Sequence, residues 1–186
     1  MPLPHATERK LTHRRTVLCQ GYERADGAID VDSSITDVKA LGTPLADHAV
    51  GPGEIIHGMS LRMTVDSSLT ITDVVAVTDH APFKVCGSIT PNFRKLIGLR
   101  LLRGFTKAVR DLVGGVQGCV HIVDLIGHAA TVTYQTMGRK RREDAVHAKD
   151  IKVKPSLLNT CHAWATDSPV VKREFPEFYT GVEGKS

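Results

Sequence analysis

Between residues 59 and 77 the chain reads "MSLRMTV", then "DSS", then "LTITDVVAV". Leu61, Met63 and Val65 alternate with polar neighbours, a short polar turn follows, and a second apolar-rich run returns. A period of two sends alternate side chains to opposite faces of a strand. Two such runs joined by a turn predict a β-hairpin with one face that must be buried. Whatever else this sequence builds has to cover that face.

The flanking segments supply the material. "RRTVLCQGYER" has strand composition, Asp26-Gly27 is a hairpin-type turn, and Ile29, Val31 and Ile35 of "AIDVDSSITDVKAL" are candidate inward residues. "TPLADHAVGPGEI" reads as a Pro/Gly-rich loop and "TDHAPFKVCGS" as another. Thr90-Pro91 has the form of a helix start, with Phe93, Leu96, Ile97 and Leu101 at helical spacing. Gly104 breaks or kinks that helix, and the period resumes in Phe105, Ala108, Val109, Leu112 and Val113 before Gly114-Gly115 ends it. A second helix is expected from about Gly118 towards Thr136, residues 138–156 as a charged loop, and "SLLNTCHAWATDS" as a strand entering a turn. The aromatics of "VVKREFPEFYTG" are expected to latch onto the body. Strands first and helices after predict an α+β fold, an antiparallel sheet with hairpins packed by two or more helices. One domain is expected over 13–180, with tails at 1–12 and 181–186.

With 41% hydrophobic and 24% charged residues the composition is that of an ordinary globular protein. No apolar run reaches the ~18 residues of a membrane helix, and the basic N-terminal flank lacks an apolar core, so a cytoplasmic protein is expected. A net charge of +4 is mild. The one dense basic cluster, "GRKRRED" at 138–144, has no aromatic stacking motif beside it, so nucleic acid is not an expected partner. There is no Gly-rich phosphate loop and no GxSxG.

Chemistry concentrates in a few places. In "QGCVHIVDL", Cys119 and His121 stand at the expected start of the second helix, where the positive dipole end favours a thiolate. His121, Asp124 and His128 are spaced i, i+3 and i+7 and share one helix face. A carboxylate beside imidazoles fixes their tautomers, and Asp124 is the expected carboxylate. His57 is placed in a loop just before the first hairpin strand, and His13 sits beside Arg14 and Arg15. Asp37, Lys39 and Asp79 are further polar candidates, and Tyr22 and Tyr134 offer phenol hydrogen bonds. For each of these an ordinary structural role is the standing alternative.

Cys86, Cys119, Cys161 and His162 also form a set. A hairpin, a Gly-Cys opening a helix and a later adjacent Cys/His pair resemble the NifU-like iron–sulfur scaffolds. The chain departs from them in that Cys86 follows the strands and the pair runs Cys-His. This resemblance implies a zinc or iron site on those four residues.

A second resemblance spans more of the chain. The runs "HRRTV", "TDVK", "IIHGMSLRMTVD", "GGVQGCVHIVDL" and "CHAW", from His13 to about Tyr179, resemble a bacterial domain-of-unknown-function family, number 2889. The usual family pattern has a tryptophan at Ile29 and Ser60 and an aspartate at Gly58. Loss of bulk at Ser60 and Gly58 is therefore expected to open space beside His57 for a bulky ligand. Similar proteins occur in bacteria that degrade lignin-derived aromatics. The resemblance thus implies a lyase that eliminates formaldehyde from phenolic dimers to give a stilbene, with no organic cofactor. In that reading His57 and His121 are bases, Arg14 or Lys39 holds the phenolate, and His13, Asp79 and Tyr134 complete the site. A small phenolic substrate and a homo-oligomer are the expected partners. A metal module and a plain interaction domain are the competing readings.

Overall fold

The computed structural model describes residues 3–45, 48–147 and 157–181, with the backbone alone over 139–147. Backbone packing divides the chain into two compact units, residues 1–139 and 140–186.

The first unit is built on a four-stranded antiparallel sheet. β1 (His13–Glu23) pairs with β2 (Ile29–Lys39), which pairs with β5 (Ile55–Val65), which pairs with β6 (Ile71–His80), giving the order β1-β2-β5-β6. The Pro/Gly-rich stretch between β2 and β5 carries a two-residue ladder, β3 (Thr43–Pro44) with β4 (Ala49–Val50). The expected hairpin is β5–β6, and Asp26-Gly27 turns β1 into β2.

Alternation assigns the faces. Ile29, Val31, Ser33, Ile35 and Asp37 are buried while their neighbours in β2 are only partly covered. Register places Arg15, Asp37 and His57 side by side across β1, β2 and β5 on that same inner face.

Three helical segments follow the sheet. A 3-10 run spans Lys84–Leu96, α1 is Phe105–Val113, and α2 is Val120–His147. Thr90-Pro91 lies inside the 3-10 run and is not a helix start. The single kinked helix expected over 90–113 is instead two pieces. Residues between them pair with the β5–β6 turn: Ile71 N–H donates to Leu99, Gly98 N–H to Ile71 and Leu101 N–H to Leu69. Those bonds replace the helical ones, and Gly104 then caps α1. The second helix is longer than expected, so residues 138–147 are helix and not the expected loop. Residues 148–156 lie outside the described residues.

α2 lays Ile122, Leu125, Ile126, Ala129 and Thr133, each at most 1% exposed, along one stripe at helical spacing. That stripe and the inner face of the sheet share one core with Phe93, Leu96 and Val113. Burying a side chain such as Leu125 contributes about 1.5–3 kcal/mol. The helix passes close over β1, because a Cβ at Gly21 would stand 2.0 Å from Thr136 Oγ1. Glycine at 21 therefore sets how near α2 can lie.

In the second unit, the segment read as a strand entering a turn is turns and a 3-10 helix, His162–Trp164. α3 (Pro169–Glu174) is capped by the Ser168 side chain, which accepts from Val171 N–H at 3.2 Å. Trp164 packs on Phe175 at 5.7 Å between ring centres, and Lys172 lies over the Tyr179 ring. Among the described residues no helix is long and apolar enough to cross a membrane.

Candidate active site

The inner face of the sheet ends in a polar cluster centred on Asp37. Its side chain is 1% exposed, so an isolated negative charge there is costly. Arg15 meets it with a fork: Nε donates to Oδ1 and Nη2 to Oδ2, both at 2.8 Å. The guanidinium holds the Asp37 carboxyl well below the usual carboxylate range, against a burial penalty that acts the other way. Asp37 is therefore ionised across the working pH range.

Imidazoles from three elements gather on that carboxylate. His57 Nδ1, from β5, lies 3.0 Å from Oδ2. His121 Nε2, from α2, lies 3.4 Å from the same oxygen. His13 Nε2, from β1, lies 3.3 Å from Oδ1. The His57 and His121 rings stand 4.0 Å apart at 34°. His121 is the more enclosed, 13% exposed against 20% for His57 and 38% for His13. Burial pushes the His121 imidazole down, with the positive potential of His57 and Arg15 adding to it.

Ionised Asp37 only accepts, and its oxygens repel a nitrogen lone pair. So His57 carries its proton on Nδ1 and presents Nε2 as a base. His121 Nε2 and His13 Nε2 approach the carboxylate at ion-pair distance. One carboxylate thus gathers three imidazoles. Cys119 Sγ lies 3.7 Å from Nδ1 of His121. The thiol is set there by Gly118, where a Cβ would be 1.9 Å from the Val113 carbonyl oxygen.

Several expectations change. His57 is inside β5, not in a loop before it, and strand register is what brings it to Asp37. Arg14 has the opposite parity to Arg15 and pairs with Val38 on the outer face, so the cation at the site is Arg15. Lys39 pairs with His13 and keeps inner-face parity. Asp124 accepts from Arg15 at 3.4 Å and is about half exposed, so the tautomer-setting carboxylate is Asp37; His128 is exposed. Asp79 is exposed and lines a separate hollow of about 740 Å³ with Thr78, Phe83 and Lys84. Tyr134 donates to the Leu101 carbonyl.

Gly58 and Ser60 do not open space beside His57. Alternation turns them to the other face, where a Cβ on Gly58 would meet His80 Nδ1 and Ser60 lines a groove of about 320 Å³ with Leu18, Gln20 and Val77.

Cys86 lies in the 3-10 run and Cys119 precedes α2 in the first unit; Cys161 and His162 lie in the second. Among the described residues, the ligand atoms close enough to share an ion belong to Asp37, His57 and His121, within 4.8 Å of one another.

Asp37 is among the expected polar candidates, and Arg15 carries a signal of its own in the sequence. His13 and Arg15 are two apart in a strand, so they share a face that Arg14 does not.

Residues 13–135 match the family described as protein of unknown function (DUF2889). The chain belongs to that family. The match covers His13, Arg15, Asp37, His57, Cys119 and His121, the whole of the cluster. No curated protein and no solved structure matches the chain.

Proposed function

We propose that this DUF2889 member is an acid/base lyase acting on phenolic aromatic dimers, eliminating formaldehyde to leave a stilbene. The observation that carries the reading is the convergence of His13, His57 and His121 on ionised Asp37. It gathers imidazole nitrogens on one carboxylate, partly shielded from water, and imidazole is the side chain suited to proton removal near neutral pH.

The reaction asks for little else. One base removes the phenol proton. The phenolate expels the para-benzylic oxygen, which leaves with the proton held on the first base, giving a quinone methide. A second base takes the γ-hydroxyl proton, the carbon–carbon bond breaks, and formaldehyde leaves as the electron pair restores the aromatic phenolate. His57 and His121 are the two enclosed bases, and His13 is the more open imidazole beside them. Lys39, beside His13 in register, is the cation for the phenolate. No organic cofactor enters these steps.

A zinc or iron ion on Asp37, His57 and His121 is the competing reading, favoured by their spacing. Arg15 weighs against it. Its guanidinium already neutralises the carboxylate through both oxygens, and a dication would stand next to that fixed positive charge. The electrostatics favours protons over metal.

The test is formaldehyde release from phenylcoumaran-type and diarylpropane substrates by purified protein. The expected result is release, falling by about 10²–10⁴ in His57→Ala with the fold intact. No release from folded wild-type protein with either substrate discards this substrate class. Equal turnover by His57→Ala would instead remove the imidazole from the chemistry.

A further inference from the structure

The lyase reading makes no use of the thiol at the edge of the cluster. Cys119 Sγ is 3.7 Å from His121 Nδ1, and His121 Nε2 is 3.4 Å from Asp37 Oδ2. The three form a chain of thiol, imidazole and carboxylate across one imidazole ring. The direction of the chain follows from its far end. Asp37 is held ionised by Arg15, and an anion beside Nε2 favours the tautomer with its proton there, which turns the Nδ1 lone pair to sulfur. A nucleophile within reach of a base, with that base oriented by a third group, is the arrangement that activates a weak nucleophile; such contacts are often loose before a ligand binds.

We propose that Cys119 is a nucleophile for soft carbon electrophiles, forming a covalent thioether with conjugated carbonyls or quinone methides. Sulfur attacks the electrophilic carbon, forming the C–S bond. The carbon–carbon π bond breaks and its electron pair moves to the conjugated oxygen. The S–H proton passes to His121 Nδ1 and is returned to the enolate or phenolate, so the addition is balanced without an oxidant or a leaving group. Sulfur suits this class because a polarisable thiolate prefers soft carbon. The inference rests on the geometry at His121 and stands whether or not the lyase reading does.

The four cysteines provide an internal comparison. Cys161 is exposed, whereas Cys19, Cys86 and Cys119 are only partly so. On access alone, Cys161 reacts first. The experiment treats the intact chain with substoichiometric N-ethylmaleimide, a conjugated carbonyl, and follows each cysteine by peptide mass spectrometry. The expected result is modification of Cys119 at least about tenfold faster than Cys161, with the excess lost in His121→Ala and reduced in Asp37→Asn. His121→Gln guards against a fold defect, since it keeps bulk but lacks the base. Cys119 reacting no faster than Cys161 overturns the proposal. So does an excess that survives both His121 variants. Formaldehyde release is not part of the readout, so failure here and failure of the lyase reading are separate results.

Discussion

His57 and His121 reach Asp37 Oδ2 from opposite layers of the first unit, one from the sheet at 3.0 Å and one from the helix at 3.4 Å. Their rings contact at 4.0 Å. Protonating both would place two positive charges in that contact, so the pair favours at least one neutral imidazole near neutral pH.

The first prediction concerns pH. His121 is pushed below its ordinary value of 6.5, so the native state disfavours its charged form. The stability linked to it is complete above about pH 6.5 and declines as pH falls through the lower native value. Asp37 is also depressed, from 3.8, so its contribution is complete above about pH 4 and is lost only in stronger acid. Urea unfolding across pH 3–8 should show two separate losses. His121→Gln should flatten the upper one and leave the lower. A single loss unaffected by His121→Gln would contradict the assignment.

Asp37→Asn removes the group that balances Arg15 and orients the imidazoles. Breaking a buried pair from one side costs about 3–5 kcal/mol. Arg15 is 39% exposed and regains water, so about 2–3 kcal/mol is expected. Chemical denaturation at pH 7 measures it, and a loss under about 0.5 kcal/mol, the usual range for plain surface changes, would show that the cluster is not structurally coupled.

Arg15→Gln tests proton against metal chemistry. If the guanidinium keeps ions away from Asp37, its removal should raise Zn²⁺ affinity about tenfold or more, roughly 1.4 kcal/mol. Titration calorimetry of both proteins decides. Wild-type protein binding zinc as tightly as the variant would restore the metal reading.

Gly21 lies where α2 crosses β1, and a Cβ there stands 2.0 Å from Thr136 Oγ1 and 3.1 Å from Val132 Cγ1. Gly21→Val should cost about 1–3 kcal/mol through forced displacement of the helix. Adding Thr136→Ala should recover part of it. Thermal unfolding that shows no recovery would place the strain elsewhere.

Ser60→Trp adds bulk at a position on the outer face. It should fill the groove beside Leu18 and Val77 and, under the proposed lyase function, leave formaldehyde release within about twofold of wild type, because His57 points to the other side of the sheet. A large loss of turnover would mean that the substrate enters from the outer face.

The sequence by itself determined the α+β class, the β5–β6 hairpin, the Asp26-Gly27 turn and the existence of α2. Each is written in local periodicity, 2 for strands and 3.6 for helices, or in turn chemistry. It also singled out His13, His57, Cys119 and His121. Local pattern failed where long-range bonds prevailed: residues 97–101 pair with the β5–β6 turn instead of continuing a helix. Parity within a strand, available at Arg14 and Arg15, separates the cation at the site from its neighbour only once the buried face is known. Only the tertiary structure decided that Asp37 is the hub. Its partners arrive from β1, β5 and α2, and register and helix packing, which depend on contacts distant in the chain, bring them within hydrogen-bond and ion-pair range of one buried carboxylate.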